Sequence, residues 1–148
     1  MGLLWFLKDK VLYKLLGDNA KLPTQAHEGD AGWDLYTSRE VIIPPNSFTD
    51  VHVDLAVALP KRTWALITGR SSTIRTYKLR VETAIIDNGY RGEMYVGVWN
   101  HNDHQIFIPV GTRLAQMILF KSILVRWLLV DILPPSSRGE KGFGHSGR

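Results

Sequence analysis

The chain has 148 residues, 45% hydrophobic and 22% charged, which suits one globular domain with a real core and excludes a disordered or fibrous protein. With no cysteine, disulfides and thiolate metal sites are excluded, and any metal must be held by oxygen or imidazole. A formal charge of +4 favours contact with phosphate without demanding it, and the most apolar stretch is interrupted by Lys121 and Arg126, so it reads as core rather than as a membrane helix.

The first segment, "MGLLWFLKDKVLYKLL", places Leu4, Leu7, Val11 and Leu15 at the spacing of one helix face, which predicts a short surface helix or membrane-resting segment. It is too short and too weakly positive for a secretory signal, and Phe6 stands where a myristoylation motif needs Ser or Thr. From residue 40 onward the period is two. In "VHVDLAVAL", Val51, Val53, Leu55, Val57 and Leu59 alternate with His52, Asp54, Ala56 and Ala58 as in a half-buried strand. Met94, Val96 and Val98 repeat the pattern, and so do Ile106, Ile108 and Val110. The Ile/Leu/Val-rich stretch 113–133 predicts two buried strands broken near Lys121 and Ser122, with a helix as the alternative. Turn signals separate these runs at "PPNS", "LPKR", "DNGY", "HNDH" and "PVGT". Short strands at regular spacing with turns between them predict an all-β sandwich or barrel-like fold.

Five clusters hold polar residues that a core does not explain. In "DAGWDLYT" (30–37), Asp34 interrupts an apolar run, so it bonds to backbone or faces a site. In "GRSST" (69–73), Arg70, Ser71 and Ser72 follow a strand-like run and read either as a phosphate cradle or as a helix start capped by serine. "AIIDNGYRGEMYV" (84–96) reads as a hairpin in which Asp87 is a turn residue, or as a site with Asp87 as base, Tyr90 as a flat wall and Arg91 nearby. "GTRLAQM" (111–117) sets Arg113 and Gln116 beside a buried strand. The last is "RGEKGFGHSGR" (138–148), where four glycines predict mobility in the free chain, while Arg138, Phe143, His145 and Ser146 are the parts a segment ordering over a nucleotide needs.

Taken in this order, the five clusters resemble the motifs of the trimeric deoxyuridine triphosphatase (dUTPase) family, over roughly residues 20 to 148. "IIDNGYRGE" and "RGEKGFGHSG" carry most of the resemblance. It implies a distorted jelly-roll of the β-clip kind, with an extension of unknown role at 1–10, a β domain at 11–137 and an arm at 138–148 that closes as a lid. It further implies Mg²⁺-dependent hydrolysis of dUTP to dUMP and pyrophosphate by water attack on the α-phosphate, in a homotrimer with exchanged arms. Neither nucleic acid nor membrane is implied as a partner, and the setting implied is the cytoplasm, that of a host if the chain is viral.

By the same resemblance, Asp87 is the base and Asp34 reaches Mg²⁺ through water. Arg70, Ser71 and Ser72 serve the phosphate chain, Gln116 the α-phosphate, and Arg138, His145 and Ser146 the γ-phosphate. Phe143 stacks on uracil and Tyr90 packs on the deoxyribose, refusing a 2′-hydroxyl. Ala84, Ile86, Met94 and Gly144 complete the substrate-binding set. Three positions depart from the family pattern: Val81 stands for a uracil-binding Asn of bacterial members, Ala84 for Gly, and Lys141 for a glycine of the arm. They bear on uracil affinity more than on hydrolysis. The alternatives are a dCTP deaminase of the same fold, whose glutamate base would fall at Gly97, and a non-catalytic member of the fold.

Overall fold

The apolar side of the alternation at 51–59 is realised, with Val51, Val53, Leu55, Val57 and Leu59 all buried, but Asp54, expected to face outward, is buried as well. The strand that carries the alternation is broken. In the computed structural model, which describes residues 10–140, β4 covers Ser47–His52 and β5 covers Leu55–Ala58. Between them Asp54 takes the left-handed backbone conformation at φ 48, which a short polar side chain tolerates better than most and which ends a ladder.

Among the described residues the chain forms eleven strands and one short helix. Before β4 come β1 (Leu12–Leu15), β2 (Gly32–Tyr36) and β3 (Val41–Ile43). After β5 come β6 (Thr63–Gly69), helix α1 (Ser71–Tyr77), β7 (Leu79–Val81), β8 (Ala84–Ile86), β9 (Tyr95–Asn100), β10 (Ile106–Ile108) and β11 (Arg113–Lys121). They pair as a four-stranded sheet β2-β11-β6-β8, a three-stranded sheet β4-β9-β7, and two pairs, β1-β5 and β10-β3. Every pairing is antiparallel. The inward faces meet in one core that includes Leu35, Ile43, Ile67, Val96, Ile108 and Leu114.

The expected all-β architecture holds, while four local expectations do not. Leu12–Leu15 is an exposed strand paired to β5 rather than the end of a helix, because the open edge of β5 offers backbone partners that a lone helical turn lacks. Leu4 and Leu7 lie outside the described residues. The arms around "DNGY" do not form a hairpin: β8 pairs with β6, and β9 pairs with β4 and β7, so the turn connects two sheets. Val110 is exposed, since β10 ends at Ile108 and the chain turns through Gly111 at φ 77.

The largest departure is the stretch 113–133. Its first half is β11, flanked on both edges by β2 and β6. Its second half carries no strand and lies open, with Ile123 85%, Trp127 97% and Leu129 95% exposed. An apolar strand former needs an unpaired edge and a face to cover, and no described element of this chain gives residues 123–133 either.

Candidate functional site

β6 ends at Gly69 and α1 begins at Ser71, so the "GRSST" cluster sits at a strand exit and also opens a helix. The N-cap is Arg70 with no side-chain capping bond, which corrects the expected serine cap. The segment is fixed from below instead: the buried Thr73 hydroxyl donates to the Leu114 carbonyl at 2.7 Å, tying the first helical turn to β11.

Arg70 is aimed by three contacts. Its Nε lies 2.7 Å from Asp34 Oδ1, and its Nη1 donates to Ser72 Oγ at 3.1 Å and to the Arg113 carbonyl at 3.0 Å. Gln116 faces Asp34 on one side and Thr68 on the other, and its Nε2 donates to the Gly69 carbonyl at 3.0 Å. Gly32 lets the amide lie close, since a Cβ there would meet the Gln116 amide and push it aside. Asp34, Arg70, Ser71 and Gln116 thus border one cavity of about 420 Å³. Asp34 is buried, and its Oδ2 has no hydrogen-bond partner, with the Arg113 guanidinium 3.5 Å away. A buried carboxylate oxygen left in that state calls for a donor from outside the protein.

A second cavity, of about 320 Å³, lies at the turn between β8 and β9. Ala84, Ile86, Asp87, Tyr90 and Met94 line it, joined by Phe48, Asp50, Glu82, Glu93, Tyr95 and Gly97. The turn closes with the Tyr90 N–H donating to the Asp87 carbonyl at 3.0 Å. Asn88 reaches away from the cavity and donates to the carbonyls of Pro60 at 2.6 Å and Thr63 at 3.0 Å, which anchors the loop on the β5–β6 turn. Asp87 is left exposed at the rim. The Tyr90 phenol folds back to donate to the Glu93 carbonyl at 2.7 Å. Glu93 Oε2 in turn accepts from Tyr95 Oη at 2.8 Å, and that bond pushes the Tyr95 phenol above its ordinary value.

The two cavities share no lining residue, and the strand register explains why. β8 runs antiparallel to β6 with Ala84 opposite Ile67 and Ile86 opposite Ala65. Asp87 therefore emerges near Trp64, while Arg70 leaves the other end of β6, about six residues or on the order of 20 Å away at roughly 3.3 Å per residue. Every site residue expected within the described span is beside one of the two cavities or, like Ser72, bonded to a residue that is, except Arg138, which is exposed near the end of that span. Phe143, Gly144, His145 and Ser146 lie outside the described residues. Sequence reasoning missed Asn88, Thr73 and Glu93, which hold the functional loops; only Asn88, beside a glycine in a turn, carried a signal.

A family model described as dUTPase matches residues 18–147. Similar curated proteins include a probable deoxyuridine 5′-triphosphate nucleotidohydrolase of Schizosaccharomyces pombe, 35% identical with 89% of this chain and 94% of that protein covered. The deoxyuridine 5′-triphosphate nucleotidohydrolase of Alkaliphilus metalliredigens is 36% identical over 90% of this chain and 94% of its own. Among solved structures, Staphylococcus bacteriophage 80alpha dUTPase with dUPNHPP aligns at TM-score 0.89 and 28% identity, covering 95% of this chain and 100% of that one. A variant dUTPase from phage phi11 of S. aureus, which coordinates a structural Mg(II) ion, aligns at TM-score 0.80 and 23% identity, over 85% and 99%. A family match across nearly the whole β domain, with relatives covered almost end to end, makes this chain a member of the dUTPase family.

Proposed function

We propose that the chain is a dUTP diphosphatase, hydrolysing dUTP to dUMP and pyrophosphate. The observation that carries the reading is the anchored turn at 87–90, which holds a carboxylate and a flat aromatic ring at the rim of one cavity of about 320 Å³. Asp87 orients a water and takes its proton, a role worth about 10²- to 10⁴-fold. Tyr90 packs on the deoxyribose, and Ala84, Ile86 and Met94 border the base. Arg70, Ser71, Ser72 and Gln116 hold the phosphate chain, where donors matter most as charge develops on the leaving oxygen. Arg138, Phe143, Gly144, His145 and Ser146 close over base and γ-phosphate.

Mg²⁺ fits the polar cavity, because Asp34 Oδ2, which accepts no hydrogen bond, suits an ion that arrives with its own water donors. When bound, Mg²⁺ supplies neutralisation of the triphosphate charge. Asp34 would hold it through water.

The active unit is a homotrimer with sites shared between chains. Asp87, just after β8, and Arg70, just after β6, stand too far apart to reach one α-phosphate, so the base of one chain works with the cradle of another. The exposed apolar stretch 123–133 is the surface that such an assembly covers. Deamination is disfavoured at Gly97, which has no side chain and lies under Phe48, whose ring would sit 2.7 Å from any Cβ placed there. Pyrophosphate release with dUTP, dTTP, dCTP and UTP at equal concentration tests the reading; preference for any nucleotide but dUTP, or ammonia from dCTP, would overturn it.

A further inference from the structure

Tyr90 is 43% exposed, so its position depends on its own loop rather than on surrounding core. Two features hold it. Gly92 lies against the ring, where an added Cβ would come 2.7 Å from Cζ, and the Glu93 carbonyl accepts the phenol proton at 2.7 Å. The orientation of the Glu93 peptide therefore sets the orientation of the ring.

What fixes Glu93 comes partly from another strand. Oε1 lies 2.8 Å from His52 Nδ1 on β4, Oε2 accepts from Tyr95, and the next N–H, of Met94, donates to the Leu55 carbonyl at 2.9 Å. Tyr95 is two residues along the same segment and moves with it, so His52 and the Leu55 carbonyl are the ties to neighbouring strands. His52 is itself well placed. It faces Tyr95 directly across the β4–β9 ladder, with the rings edge to face at 5.0 Å and 65°, and its Nδ1 is 3.8 Å from Asp54 Oδ1, which the Arg39 guanidinium holds at 2.9 Å.

We infer that His52 is a positioning residue for the nucleoside pocket, acting through Glu93 to hold Tyr90 against the sugar and so to set discrimination between deoxyribose and ribose. The inference rests on the role given to Tyr90 above. A His52–Glu93 contact that served stability alone would have no bearing on which sugar is accepted. A tether on the pocket wall acts differently: loosening it enlarges the space beside C2′ without touching the groups that perform hydrolysis.

The test uses the atom involved. Because the contact is through Nδ1, an Asn amide nitrogen falls close to the same place, whereas Leu fills similar volume without a donor. Steady-state pyrophosphate release is measured with dUTP and UTP for the full-length wild type, His52→Leu and His52→Asn. For His52→Leu, KM for dUTP is expected to rise and the dUTP-to-UTP ratio of kcat/KM to narrow, each by about threefold to tenfold for one lost hydrogen bond, with kcat on dUTP within about twofold. His52→Asn should recover most of both. Wild type that does not hydrolyse dUTP overturns the functional reading itself. Wild type that does, with His52→Leu leaving KM and the sugar ratio unchanged, overturns this inference alone, and so does a loss in kcat that Asn does not restore. Should His52→Leu fail to fold, Glu93→Ala, which removes both side-chain contacts and keeps the backbone carbonyl, is judged by the same two quantities.

Discussion

Asp34 and Arg70 are joined across a strand that separates them: β11 lies between β2 and β6, and the Arg70 guanidinium reaches over it to within 2.7 Å of Asp34 Oδ1. The carboxylate thus orients the cation at one end and offers its second oxygen to the cavity at the other. Asp34→Asn should raise the Mg²⁺ concentration needed for half-maximal activity and lower kcat/KM for dUTP by about tenfold or more, since one charge served both tasks. Titrating activity with Mg²⁺ after chelation measures it. An unchanged Mg²⁺ midpoint would leave Asp34 a structural partner of Arg70 alone.

Asp87→Asn should keep the fold and nearly all nucleotide affinity while kcat falls at least about a hundredfold, because only proton acceptance is lost. Binding of a non-hydrolysable dUTP analogue, measured beside turnover, separates the two effects. Retention of more than about a tenth of wild-type kcat would reduce Asp87 to a turn residue.

Replacing Tyr90 with Ala removes the ring that packs on Gly92. UTP hydrolysis should rise relative to dUTP, because sterics does the excluding. The observable is the ratio of kcat/KM values, and a constant ratio places Tyr90 outside the sugar pocket.

Two inactive chains should rescue each other. One ends at Ser137 and lacks the arm; the other is full-length Asp87→Asn. Unfolded together and refolded as mixed trimers, some sites would combine an intact base with an intact arm from another chain, and activity should return. Mixed trimers seen by mass measurement but without activity would sink the shared-site arrangement.

Asp54 predicts a pH window. Burial pushes its carboxyl up, but hydrogen bonds from Arg39, Ser38 and Glu93, with the charge of Arg39, together outweigh that and hold it below its ordinary 3.8. A depressed folded value contributes stability above the unfolded value that is lost as pH falls through the folded one. Arg39→Leu should therefore cost about 1 to 3 kcal/mol at pH 7, as for a hydrogen bond to a charged group. The gap in Tm between wild type and variant should close as the pH falls below 3.8. A gap that persists in acid would assign the loss to packing.

Burial of the apolar side was legible at Val51 to Leu59 and at Met94 to Val98, but not at Val110, where the strand ends before the pattern does, nor at the buried Asp54. Pairing was not, because the same period-two pattern suits any neighbour: "DNGY" looks like a hairpin turn from either side, yet β8 and β9 join different sheets. Asp34 was legible as a polar interruption of an apolar run, but Arg70 as its partner, 36 positions away, was not. His52 and Glu93 could not be linked at all from sequence, since each sits at an unremarkable outward position and only the β4–β9 register brings them together.

The uncovered stretch 123–133 also bears on how the protein reaches its working state. Ile, Leu, Val and Trp side chains in an exposed segment outside any strand form a template for cross-β association, and the run has few safeguards: Arg126 splits "ILV" from "WLLV", Asp131 splits "WLLV" from "IL", and Lys121 and a pair of prolines stand at its ends. Replacing Arg126 with a neutral residue would remove the central gatekeeper while leaving both cavities untouched. Because self-association of an uncovered run follows mass action, the variant's solubility would fall as protomer concentration rises, and would depend on that concentration as much as on the strength of the fold.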